Sequence, residues 1–159
     1  MTIKECGCPA IVDREWEGKT FNWKDRTFFA QDVRFFFRAP MDIDQKVARA
    51  GEMIEQRGYM LEEPLTVLIE ESQFRGRVLV GILPPEGTDP HVVVFPDVSV
   101  VARVFQRREA RLPVKQLNAW RKSLEEGGRK VGAMYLWHVT CPNCSRLEGF
   151  KTVVFAQVR

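Results

Sequence analysis

No GxSxG nucleophile elbow, no phosphate-cradling glycine loop and no HExxH metal helix occurs in this sequence, and its glycines are scattered at turns and helix ends. The motif-borne routes to acyl transfer, nucleotide binding and zinc proteolysis are thereby excluded. No run of 18 apolar residues exists, so neither a transmembrane helix nor a membrane partner is expected. The first 19 residues, MTIKECGCPAIVDREWEGK, are charged and interrupted, unlike a signal peptide. The expected location is therefore the cytoplasm, where thiols stay reduced. A clustered basic footprint is missing too. The net charge is only +3 and the Lys and Arg residues are spread along the chain, so they read as solvated surface and no direct contact with nucleic acid is expected. The stretch before residue 27 is too short for a helix-turn-helix, so the chain alone is not expected to be a transcription factor.

What is present reads as one α+β domain behind an N-terminal arm. With 45% hydrophobic and 28% charged residues, 159 residues suffice for a real core. The pattern is organised around Ala119–Val139, an amphipathic helix, a glycine stop and an aromatic strand. Leu117, Trp120 and Leu124 share one helical face, and Gly127-Gly128 closes the helix. A shift of 70 residues lays Gly58 on Gly128, Ile54 on Leu124, Val47 on Leu117, Phe35 on Phe105 and Arg38 on Arg108. Each half thus reads strand, helix, strand, strand, an internal βαββ repeat. Repeat one spans about 27–83 and repeat two about 91–158, joined by the turn-rich segment LPPEGTDP. The helices are expected at about 42–57, with Asp42 as N-cap, and from Pro113 to Glu126. Strands are expected at about 27–38, 64–71, 77–83, 91–95, 98–107, 133–140 and 150–158. Residues 1–26 form the arm, whose Trp16, Phe21 and Trp23 should pin it to the body.

Four cysteines stand apart from this pattern. Cys6-Gly-Cys8 lies in the arm, and Cys141-Pro-Asn-Cys144 lies on a turn, CPNCSRLEG, that breaks the repeat by five added residues. CxxC spacing lets two sulfurs reach one ion from a tight turn, and four thiolates complete a tetrahedral zinc site. That site requires the arm to fold back beside the loop. With four protein ligands it would be structural. Four reduced thiols, a labile disulfide within 141–144, and redox chemistry are the alternatives.

The strand-helix-strand-strand order taken twice, with NAWRKSLEEGGRKVGAMYLWHV in the second half and TVVFAQV at the end, resembles the GyrI-like small-molecule-binding domains. They share a superfamily with multidrug effector domains and SOUL haem-binding proteins. The resemblance covers about 27–158. It implies two βαββ units related by a pseudo-two-fold, an antiparallel sheet forming a saddle with two helices, and a groove for amphipathic or cationic organic molecules. It places the family's helix Trp at Trp120 and a pocket Tyr at His138. The acidic residue common in the family's last strand corresponds to Val153, which counts against a cationic ligand. Some relatives hydrolyse strained electrophilic rings with a pocket acid and a tyrosine, and the same departure counts against that activity.

The groove lining expected from these readings is Trp120, Tyr135, Trp137, His138, Phe105 and Phe155, with Cys6, Cys8, Cys141 and Cys144 as metal ligands and no catalytic residue assigned. Strand alternation allows only one of the pairs Tyr135/Trp137 and Leu136/His138 to face a groove. His138 reads as a satisfied core histidine, a pocket hydrogen-bonder or a general base, and His91 as an exposed linker residue. Glu70 and Glu71 read as surface. Three functions follow: a stand-alone binder of a small organic molecule, a hydrolase of a reactive small molecule, and a metal-stapled module whose groove receives a protein partner.

Overall fold

The computed structural model describes residues 3–159. In chain order, the arm carries α1 (Asp13–Trp16) and β1 (Thr20–Asn22). β2 (Thr27–Phe36), β3 (Ala39–Pro40), α2 (Ile43–Gln56), β4 (Val67–Glu70), β5 (Arg75–Gly81) and β6 (Val92–Val94) follow. The chain closes with β7 (Ser99–Arg107), α3 (Val114–Glu126), β8 (Val131–His138), α4 (Pro142–Glu148) and β9 (Phe150–Val158). The α+β class and the strand-helix-strand-strand order of each half are as expected. Two compact units are formed. One is Trp23–Asp97, and the other joins the arm, up to Asn22, to Val98–Arg159. The arm is therefore part of the second half's unit, and its expected last residues, Trp23–Arg26, belong to the first.

In the unit Trp23–Asp97, β5 lies antiparallel between β2 and β4, while β3 and β6 pair short stretches of β2. Alternate residues of β2 point to opposite faces. The α2 helix packs on β2 and β5 through buried Ala50 and Ile54. Asp42 takes the N-cap position but in a left-handed conformation (φ 55°) and makes no side-chain cap bond. Trp23 is 2% exposed and meets Phe28 and Phe95 edge-on or tilted, so it anchors this unit.

In the second unit the strand order is β1-β7-β9-β8, all antiparallel. α3 buries Leu117 and Trp120 against Val101, Phe105, Met134 and Val154, and Leu124 packs at the edge of that cluster. The helix face expected from the spacing is the one that is buried. Gly58 and Gly128 take φ of 68° and 87° just past α2 and α3, the left-handed stop that glycine adopts without a Cβ clash. Segment 141–149, expected as a turn, is instead the helix α4. Pro142 sits at its first turn, where proline's missing N–H costs nothing, and Ser145 N–H donates to the Cys141 carbonyl at 3.0 Å. The described residues thus hold four helices, two more than expected.

Candidate metal centre

The arm opens with a tight reversal. Lys4 N–H donates to the Cys8 carbonyl (2.7 Å), Gly7 N–H to the Lys4 carbonyl (2.8 Å), and Ile3 bridges Pro9. Cys6 and Cys8 flank the bend. On the other side, Cys141 caps α4 and Cys144 occupies its first turn. Lys4 Nζ, 2.6 Å from Glu148 Oε2, ties the arm to the far end of α4. The four sulfurs lie within 4.8 Å of one another, with Cys6 and Cys144 Sγ 3.1 Å apart. A tetrahedral ion with metal–sulfur bonds of about 2.3 Å wants sulfurs about 3.8 Å apart. All four cysteines are free thiols, and burial runs from exposed Cys6 to buried Cys144.

Backbone amides prepare the cluster for negative charge. The Cys144 N–H, then the Cys8 and Cys144 thiols and last the Asn143 N–H, draw the Cys141 pKa down to about 6, against the opposing effect of burial. The Cys8 N–H holds Cys6 down in the same way. Burial, then the Cys6 thiol, pushes Cys8 up, although the Cys141 N–H points at its sulfur. The Cys6 contact and then burial push Cys144 up to about 12. One or two thiolates form readily and the rest resist, because like charges at this range repel. A dication removes the resistance. The donor set suits zinc, whose closed structural sites take four cysteine thiolates.

Strand register decides which expected groove residues share a face. Phe105, Thr152 and His138 are lateral neighbours across β7, β9 and β8, on the side covered by α3. Trp120 meets Phe105 at 6.0 Å between centroids and 70°. Trp137 pairs Val153, and Tyr135 pairs Phe155, on the opposite face. There Trp16 from α1 packs 5.6 Å from Trp137 and 6.0 Å from Phe155, and Phe21 lies 6.4 Å from Phe155. The six residues therefore divide three and three. The arm aromatics fill the Tyr135/Trp137/Phe155 face, while an open cleft of about 410 Å³ lies between β7 and α3, lined by Phe105, Gln106, Gln116, Ala119, Trp120 and Arg103 among others.

Thr152, His138 and Arg107 form a linked set that the sequence did not signal. Thr152 is fully buried, accepts from Arg107 Nη1 (2.9 Å) and lies 2.8 Å from His138 Nδ1. A single hydrogen bond joins the Thr152 hydroxyl to Nδ1, and its direction follows the ring tautomer. Burial of the ring nitrogens, then the Arg107 charge, lowers the His138 pKa to about 4. The rest of the side chain is exposed, and solvent there screens Arg107 and moderates the drop. The Arg107 Nε is buried without a partner. His91 is not simply exposed: its ring stacks on Phe29 at 5.2 Å, and Nδ1 faces the Ala30 carbonyl. Glu70 and Glu71 pair with Arg77 and Arg38.

Two solved structures share the fold. The crystal structure of the EcmrR C-terminal domain superposes with a TM-score of 0.70 at 10% identity, over 91% of this chain and 98% of that one. The cryo-EM structure of an EcmrR–DNA complex superposes with a TM-score of 0.64 at 10% identity, over 90% of this chain and 57% of that one. No curated protein matches the sequence. The family model described as "Bacterial hydrolase" matches residues 2–158, nearly end to end, and the chain belongs to that family.

Proposed function

We propose that this chain binds a small organic molecule in the cleft between β7 and α3, and that a structural zinc on Cys6, Cys8, Cys141 and Cys144 holds the arm in place. The observation that carries the reading is the cleft itself. About 410 Å³ is in the range of small-molecule sites, and it offers an edge-to-face Trp120/Phe105 pair beside two glutamine amides. The likeness in fold to the EcmrR C-terminal domain and the resemblance to GyrI-like domains support it. Val153, where the resemblance places an acid, is fully buried on the opposite face, and Arg103, the charged side chain of the cleft, lies 3.6 Å from Glu17, so a neutral aromatic ligand is favoured. The zinc would be structural, because four protein thiolates leave no position for water.

Titration of tryptophan fluorescence with aromatic, anionic and lipophilic cationic compounds tests the cleft. Saturable quenching that is lost in Trp120→Phe supports it, and flat traces across the panel overturn it. Elemental analysis should find one zinc per chain, absent in Cys141→Ser.

A second reading, hydrolysis of a reactive small molecule, is favoured by the family and by His138. With Nδ1 engaged by Thr152, Nε2 is the ring atom left for a substrate, as a base or as a hydrogen-bond donor to a developing oxyanion. Consumption of an ester or lactone panel, abolished in His138→Ala with ligand binding retained, would establish turnover over stoichiometric binding.

A further inference from the structure

One end of the sheet in the unit Trp23–Asp97 is crowned by rings that lie open to solvent. Phe36, Phe37 and Phe74 are 64%, 64% and 57% exposed, and Met41 is 48% exposed. Phe37 meets Phe36 edge-on at 4.7 Å and Phe74 at 6.2 Å, so the three rings form one patch. Contiguous exposed apolar groups of this kind mark a contact surface more often than single ones do.

Two turns build the crown. Phe36 pairs with Ala39 across the β2–β3 hairpin, which leaves Phe37 and Arg38 as a two-residue loop with φ of 45° and 68°. Such loops favour Asn-Gly or Gly-Gly, because a bulky side chain at positive φ is strained. Here the fold bears that strain and the ring it carries points out of the core, which is the mark of a functional position. Phe74 reaches the same end from the turn before β5, where its carbonyl accepts from Phe35 N–H at 2.7 Å. Met41 joins through its N–H, which donates to the Arg34 carbonyl at 2.9 Å. The rings sit on turn tips and line no groove, so the surface is convex.

Cations come next behind the rings. Arg38 is in the loop itself, and Arg34 and Arg75, both exposed, stand directly opposite each other two residues behind Phe36. Arg34 and Arg75 have no ion pair among the described residues. The nearest acids, Glu71, Asp42 and Asp32, come further back along the chain from the tip, and Glu71 lies 3.6 Å from Arg38. We propose that this crown docks the chain on an anionic lipid surface, with Phe36, Phe37 and Phe74 seated among the headgroups and upper acyl chains and Arg34 and Arg75 meeting lipid phosphates. A strand rise of about 3.3 Å per residue sets Arg34 about 7 Å behind Phe36. Interfacial apolar groups are buried to a similar depth, about 5–10 Å. Guanidinium forks match phosphate, and a bilayer, unlike a flat protein face, closes round a convex tip. Contact of this peripheral kind needs no long apolar run.

Co-sedimentation of the full chain with vesicles of phosphatidylcholine, alone and with a third of phosphatidylglycerol, tests this. Binding to the anionic vesicles is expected, about tenfold or more weaker on phosphatidylcholine alone and reduced by added salt. Phe36→Ser/Phe37→Ser/Phe74→Ser should lose tenfold or more and Arg34→Gln/Arg75→Gln several-fold, each with wild-type circular dichroism. Phe37→Gly, which relieves the loop, should melt no lower than wild type and still bind vesicles several-fold more weakly. No binding to anionic vesicles, or binding undiminished in the triple variant, overturns the proposal. So does a dimer in vesicle-free sedimentation equilibrium that the triple variant abolishes, which assigns the crown to a second copy of the chain.

Discussion

His138 is the one imidazole on the α3-covered face of the second unit, and its fixed hydrogen bond makes the stability of that unit pH-dependent. An unfolded histidine titrates near ~6.5, whereas burial and Arg107 hold the folded side chain lower, at about 4. Between those values the unfolded chain binds more protons, so stability rises with pH across that window. The His138 contribution is whole above the unfolded value and is lost as pH falls toward the folded one. Urea unfolding at pH 7.5 and pH 5 should show a larger loss in the wild-type chain than in His138→Gln. Arg107→Gln should raise the folded pKa only part of the way, because burial is the larger cause and stays. An NMR titration of the ring that returned the full unfolded value would show that Arg107 dominates.

Among elements, α4 shows how far the pattern of residues could be read. The long helices and strands were legible because their apolar periods run over many residues: Leu117, Trp120 and Leu124 on α3, or the continuous run of β9, buried on both faces. Segment 141–149 offers no such period. Pro142, Asn143, Ser145 and Gly149 favour a turn, and the helix draws tertiary support from the sulfurs at its start and, at its end, from the Lys4–Glu148 pair and the Gln106 amide donating to the Glu148 carbonyl. The cysteine tetrad itself was legible, since CxC and CxxC are local patterns. The division of the aromatic residues between faces was not, because it depends on the register of β7, β9 and β8. The Thr152–His138 link, 14 residues apart, depends on the same pairing.

The exit from α4 carries its own test. Gly149 has φ 79° and ψ −177°, a conformation open essentially to glycine alone, and a Cβ there would stand 2.8 Å from the Arg107 carbonyl oxygen. That oxygen is backbone and cannot swing aside. Gly149→Ala should cost about 1–3 kcal/mol, seen as a lower midpoint in thermal unfolding, and an unchanged midpoint would show that α4 shifts freely on β9.

For the molecule as a whole, the arm is held at two levels that chelation separates. From α1 onward its anchors are metal-independent: Asp13 with Lys151 at 2.8 Å, Glu17 on the Val104 amide, Trp16 and Phe21 on the aromatic face, and β1 in register with β7. Before α1, the Lys4–Glu148 pair, partly exposed and of modest worth, stands beside the four cysteines. A zinc ion there would supply most of what holds residues 3–11, because its affinity is realised only when both cysteine pairs are in place. Chelation should therefore speed amide exchange across 3–11 and at 141–145. It should leave β1 and the unit Trp23–Asp97 at their original rates. Hydrogen exchange by mass spectrometry, with and without chelator and in Cys8→Ser, reads each segment separately. Uniform acceleration through Val98–Arg159 would mean that the metal is needed to fold the whole unit. No change anywhere would mean that the thiols hold no ion, and that the arm is kept in place by its aromatic and ionic contacts alone.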